Sequence, residues 1–195
     1  RWIMVVTHGQ SIGFYSSPDA LNWQFESEFA EGRHDPAPNP GPWECPDLFE
    51  LDGNDVFLYS PQGLKPSGYD NWNKFQNSYR MGLLDDRGYF SECGEPRELD
   101  HGHDFYAAQT LLAADGRRLL WAWLDMWESP MPSQAHHWCG MLGLPRELEL
   151  CADRLYMYPA RELSALRMTQ LPGTPWWEAS GTRRVPEVNG DMLEI

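Results

Sequence analysis

Trp43-Glu44-Cys45-Pro46-Asp47-Leu48-Phe49 sets an acidic side chain between an indole and a thiol and runs straight into strand-forming residues. A surface-turn glutamate ordinarily sits among Gly, Ser and Lys. Here desolvation by Trp43 and Cys45 would disfavour the ionised form and move the carboxyl towards the range of a general acid. The same residues also read as a solvated loop glutamate ahead of an edge strand, because most carboxylates in unusual settings are structural. Pro46 restricts the residue before it, so Cys45 is expected to be extended and to stiffen the backbone beside Glu44. Asp47 lies three positions on, which in an extended strand would turn it to the opposite face from Glu44.

Upstream, Asp35-Pro36-Ala37-Pro38-Asn39-Pro40-Gly41-Pro42 holds four prolines, each of which removes a ladder donor. It reads as a loop that delivers Glu44 to a strand start. Downstream and throughout 1–159, short β-rich runs alternate with turn signals, and helical periodicity is not sustained. The expected strands are 2–7, 13–17, 23–27, 48–51, 55–60, 78–84, 110–113, 119–124, 147–150 and 154–158. Asp52-Gly53-Asn54, Asp86-Arg87-Gly88 and Asp115-Gly116 supply the positive-φ positions of tight hairpins. Only 160–168 has helical character, with Leu163 and Leu166 three apart. The pattern is all-β, and a sandwich, a barrel and a propeller all remain open to it.

Three further stretches follow the first in order, and together they carry a resemblance. They are Leu99-Asp100-His101-Gly102-His103-Asp104-Phe105-Tyr106-Ala107-Ala108-Gln109-Thr110, then Gly116-Arg117-Arg118-Leu119-Leu120-Trp121-Ala122-Trp123, then Gly143-Leu144-Pro145-Arg146-Glu147-Leu148. With the Trp43-Glu44-Cys45-Pro46-Asp47 stretch they resemble glycoside hydrolase family 32, the invertases and the sucrose, sucrose 6-phosphate and fructan hydrolases. Ser60-Pro61-Gln62-Gly63-Leu64 and Asp125-Met126-Trp127-Glu128-Ser129-Pro130-Met131-Pro132 are similar to its bacterial intracellular sucrose-cleaving branch.

The resemblance implies the later blades of a five-bladed β-propeller over 1–159, a short helix and linker over 160–187, and the start of a β-sandwich over 188–195. It implies a retaining β-fructofuranosidase in which Glu44 is the general acid/base, first protonating the departing sugar oxygen. Cys45, Asp104, Tyr106 and Trp127 match positions at the sugar pocket, with Tyr106 within reach of the acid. Each also has a plain reading: Cys45 as a small buried apolar residue, Tyr106 and Trp127 as aromatic packing between blades. The family's nucleophilic Asp sits in an Asn-Asp-Pro-Asn-Gly motif and a third acid in an Arg-Asp-Pro motif. Neither motif occurs here. His34-Asp35-Pro36 lacks the Arg and the following Asn-Gly, and is rejected as a substitute. Since residue 1 already lies within a strand and no Met begins the chain, the sequence reads as a fragment that lacks its nucleophile and is inactive alone. A non-catalytic carbohydrate-binding domain or inactive homologue is the competing expectation.

Composition narrows the partners. A net charge of -14 on 195 residues opposes nucleic acid and anionic membrane surfaces. Ten Trp suit propeller packing and stacking on sugar faces alike. No apolar run approaches a membrane span. Cys45, Cys93, Cys139 and Cys151 show no Cys-x-x-Cys spacing and read as reduced thiols of a cytoplasmic protein. His101-x-His103-Asp104 places two imidazoles on one strand face, but no third nitrogen or sulfur ligand stands near, so no metal is expected. No dinucleotide or phosphate-binding glycine motif appears, and no cofactor is expected.

Overall fold

The computed structural model describes residues 1–9, 11–30, 41–92 and 94–168, and of Ala30 and Glu92 it describes the backbone. Three antiparallel sheets carry the fold. The first has the order β1 (Trp2–Thr7), β2 (Ser11–Ser17), β3 (Gln24–Ala30). The second runs β4 (Trp43–Leu51), β5 (Asn54–Pro61), β6 (Ser78–Leu84), β7 (Phe90–Glu92), with β8 (Arg97–Glu98) also on β6. In the third, β9 (Tyr106–Leu112) pairs with β10 (Arg118–Leu124). Beyond β10 lie β11 (Met141–Leu142), β12 (Arg146–Cys151) and β13 (Arg154–Pro159).

Tight turns join β1 to β2, β4 to β5, β9 to β10 and β12 to β13, whereas longer segments, 62–77 and 125–145, lead from β5 to β6 and from β10 to β12. At the β4–β5 hairpin Asp52 and Gly53 have φ of 51° and 76°, so both central residues are left-handed, a conformation that suits Gly and that Asp tolerates. The short strands β7, β8 and β11, only two or three residues each, escape the sequence pattern.

The middle sheet is buried on both faces. Phe57 and Tyr59 of β5 join Ile12, Phe14, Phe29, Trp43 and Phe90 in one core. Val56 and Leu58 turn the other way, into a second core with Phe49, Tyr79, Phe105, Leu120 and Leu148. Strand β5 therefore reads Val-Phe-Leu-Tyr without alternation, as a strand covered on both sides must. Each such side chain, fully buried, contributes about 1.5–3 kcal/mol of transfer free energy.

By its internal contacts the chain divides into Arg1–Ala160 and Arg161–Ile195. In the second unit Arg161–Leu166 forms a 3-10 helix, with Ser164 Oγ donating to the Arg161 carbonyl over 2.7 Å. The helical character expected over 160–168 is thus a single tight 3-10 segment. The expected sandwich start at 188–195 and most of the linker lie outside the described residues, as does His34-Asp35-Pro36.

Candidate active site

Glu44 enters the site through an irregularity in β4. Glu44 stands opposite Ser60 and Asp47 opposite Leu58, so three steps on β4 match two on β5. This is a β-bulge, and it falls at Cys45-Pro46, where Pro46 has no N–H to lose from the ladder. Cys45 takes φ of 48°. A matching bulge lies across the gap in β9. Tyr106 faces Trp123 and Gln109 faces Trp121 on β10, with Ala107 between them at φ 54°.

A buried amide just before β6 holds the second bulge. Asn77 Nδ2 donates to the Phe105 carbonyl at 2.5 Å, and its Oδ1 accepts the Ala108 N–H at 3.2 Å and the Ser60 hydroxyl at 3.0 Å. Backbone groups of 105 and 108 thereby find a partner outside the β9 ladder, as buried backbone polar groups must. The same residue joins Ser60, opposite Glu44, to the start of the strand carrying Tyr106. Further along, Asp47 Oδ2 accepts both the N–H and the hydroxyl of Thr110 at 2.7 Å each, and Gln109 Nε2 donates to the Cys45 carbonyl at 3.0 Å.

The result is a half-buried carboxylate with fixed donors. Tyr106 Oη donates to Glu44 Oε2 at 2.7 Å, and Gln62 Nε2 donates to the same oxygen at 2.8 Å. Tyr106 is only 2% exposed, and burial, reinforced by its bond to Glu44, pushes its phenol well above the ordinary value. It therefore remains a donor at any neutral or mildly alkaline pH. Burial, with Glu44 beside it, likewise pushes the Cys45 thiol up.

An aromatic wall rises next to this pair. The Trp127 ring lies edge-on to Tyr106 at 5.0 Å, tilted against Phe75 at 4.5 Å and edge-on to Trp123 at 4.9 Å. Trp127 is 56% exposed, so much of its indole stays open to solvent near a hydrogen-bonded carboxylate, the combination that suits a sugar. The loop carrying Phe75 is tied down on both sides. Asn73 Nδ2 donates to the carbonyls of Gly102 and His103 at 2.6 and 3.0 Å, and Lys74 pairs with Glu128.

The family model for the N-terminal domain of glycosyl hydrolases family 32 matches residues 1–159. The chain belongs to family 32. Among its family 32 relatives, the sucrose-6-phosphate hydrolase of Zymomonas mobilis is 42% identical over 182 residues, covering 87% of this chain and 35% of that protein. The raffinose invertase of Escherichia coli is 39% identical, over 89% of this chain and 37% of its own length. Of solved structures, the Bombyx mori GH32 beta-fructofuranosidase superposes with a TM-score of 0.75 at 38% identity, covering 87% of this chain and 36% of that one. The family 32 chain thus spans a little over a third of the length of these relatives.

The family 32 geometry revises several expectations. Cys45 is not extended; the bulge takes it to positive φ. Ser60 and Leu58, two apart, share a face of β5, so Glu44 and Asp47 opposite them share a face too. Trp43 does not wall Glu44, because neighbours on a strand point to opposite faces and its indole packs on Phe29 and Tyr59 at 5.3 and 4.5 Å. The setting of Glu44 is made instead by Gln62 and Tyr106. Asp104 Oδ1 meets His103 Nδ1 at 2.8 Å. His101 Nδ1 meets Glu98 at 3.2 Å and Asp70 at 3.7 Å, and these are the one group of three such side chains close enough to offer a cation ligands among the described residues. Gln62, Phe75 and Trp123 were not anticipated at the site. Gln62 lies in Ser60-Pro61-Gln62-Gly63-Leu64 and Trp123 ends the 116–123 stretch, but nothing local in either points at Glu44, and Phe75 lies in no such stretch.

Proposed function

We propose that residues 1–195 supply the acid/base half of a retaining β-fructofuranosidase that hydrolyses sucrose or sucrose 6-phosphate. The observation that carries this reading is Glu44, with one oxygen held by Tyr106 and Gln62, facing an aromatic wall with an open ring. Relatives named as sucrose-6-phosphate hydrolases and a raffinose invertase, and a Bombyx mori beta-fructofuranosidase variant solved with sucrose, support the substrate class.

In this reading the three sheets are blades of a propeller, and the attacking carboxylate comes from outside residues 1–195. That carboxylate would stand about 5 Å from Glu44, as retention demands. As it attacks the anomeric carbon, the bond to the glucosyl oxygen breaks and Glu44 passes its proton to that oxygen. A fructosyl ester is left on the protein. Glu44, now ionised, takes a proton from water, whose oxygen displaces the carboxylate and releases fructose. Trp127 and Trp123 offer apolar faces to the sugar rings, and Asp104 offers a carboxylate for hydroxyl groups.

The test is Glu44→Gln in the complete translation product of the gene. Loss of the acid should lower turnover of sucrose by about a hundredfold or more, while a nitrophenyl fructoside, whose leaving group needs no proton, is cleaved to its ester far less affected. Equal loss on both substrates sinks the acid role.

A further inference from the structure

Gln62 is held as firmly as any group near Glu44, yet the acid/base reading gives it no task. Its Nε2 carries two hydrogens and has two acceptors within reach, Glu44 Oε2 at 2.8 Å and Tyr106 Oη at 3.2 Å. The Tyr106 phenol donates in turn to the same Oε2 at 2.7 Å. Three groups therefore close a small ring in which Oε2 accepts twice. That uses both of its in-plane lone pairs.

The backbone fixes Gln62 from two sides. It forms an isolated antiparallel bridge with Phe75, flanked by Gly63 N donating to the Lys74 carbonyl at 2.7 Å and Gln76 N donating to the Pro61 carbonyl at 3.1 Å. On the other side stands Gly41, at the approach to β4. A Cβ on Gly41 would lie 2.7 Å from both the Cβ and the carbonyl oxygen of Gln62, closer than real contacts allow. Only glycine leaves Gln62 where its amide meets the carboxylate.

We propose that Gln62 is a positioning residue for the acid: together with Tyr106 it saturates Oε2, so that the proton given to the leaving oxygen is carried on Oε1. The inference rests on the acid/base reading of Glu44. Exchanging the two carboxylate oxygens by rotation would break both bonds to Oε2, so the carboxyl plane is locked and Oε1 alone faces the departing group. In the step itself the Oε1–H bond breaks, the proton bonds to the glycosidic oxygen as its bond to the anomeric carbon breaks, and the charge left on Glu44 already has two donors in place.

The decisive variant is Gln62→Met, which keeps length and volume and removes the amide donors. It is compared with wild type and Glu44→Gln in the complete translation product, on sucrose and on a nitrophenyl β-fructofuranoside, with thermal melting as the control for folding. We expect kcat on sucrose to fall about tenfold with KM little changed, and kcat on the aryl fructoside to fall less than about twofold. A structural role would lower both substrates alike, and that result, or no loss on either, overturns the inference. Gly41→Ala, which leaves the amide intact but displaces it, should show the same selective loss and carries the test if Gln62→Met does not fold. Should Glu44→Gln keep its selectivity while the Gln62 and Gly41 variants show none, the positioning role alone fails. Should Glu44→Gln lose both substrates equally, the acid/base reading fails and this inference with it.

Discussion

The Tyr106 hydroxyl and the Glu44 carboxylate, 62 residues apart in the chain, meet at 2.7 Å across the gap between two sheets. Each side chain is aimed by a bulge in its own strand, at Cys45-Pro46 in β4 and at Ala107 in β9. An unbroken ladder in either strand would turn one of the two away.

Tyr106→Phe removes one of the two donors to Oε2 and should lower sucrose turnover by about tenfold. It should also change the alkaline stability. The folded-state phenol is raised above its ordinary value of 10.0, first by burial and then by its bond to Glu44. Above that ordinary value the unfolded chain gives up this proton while the folded chain keeps it, so stability is full below about pH 10 and falls as pH rises beyond it. Urea denaturation across pH 8 to 11 should show a shallower alkaline decline in Tyr106→Phe than in wild type. Parallel declines would contradict the burial of an un-ionised phenol.

Asp47 and Thr110 tie the same two strands further from the site. Asp47→Ala leaves the Thr110 N–H and hydroxyl without their acceptor and should cost about 2–3 kcal/mol, against about 1 kcal/mol for Thr110→Val. The double variant should cost measurably less than the sum, because the hydroxyl bond can be lost only once. Strict additivity in denaturant titrations would mean that the contact is not made in solution.

Asn77 is 2% exposed and bridges Ser60, Phe105 and Ala108. Asn77→Asp sets a second oxygen against the Phe105 carbonyl in place of a donor, in a site closed to water, and should cost 3 kcal/mol or about that. Because Asn77 secures the bulge that aims Tyr106, amide exchange at Ala108 should accelerate together with the loss of stability. An unchanged exchange rate there would separate Asn77 from the bulge.

Much of the fold was legible because β-strands advertise themselves locally. The β-rich run 78–84 has the same ends as β6, and the Asp52-Gly53 turn follows from the left-handed backbone it needs. Where the reading failed, the cause was non-local. Strand β9 begins at Tyr106 rather than 110 because its first half follows Trp123 of β10 through a bulge, a pairing invisible in the sequence of either strand. Cys45 was expected to be extended because Pro46 follows it, yet the ladder needed an extra residue, and the place without an N–H to lose was that dipeptide.

The sequence alone determined that the chain is all-β, that it carries the stretches of family 32, and that Glu44 is the carboxylate to examine. These rest on side-chain periodicity, turn chemistry and residues adjacent in the chain. The tertiary structure decided the surroundings of Glu44: Trp43 on the far face, Tyr106 and Gln62 on its oxygen, Asp47 turned to its own side and engaged by Thr110. Strand neighbours in sequence point apart, whereas the residues that meet are brought together by register, and a single inserted residue changes that register for everything after it.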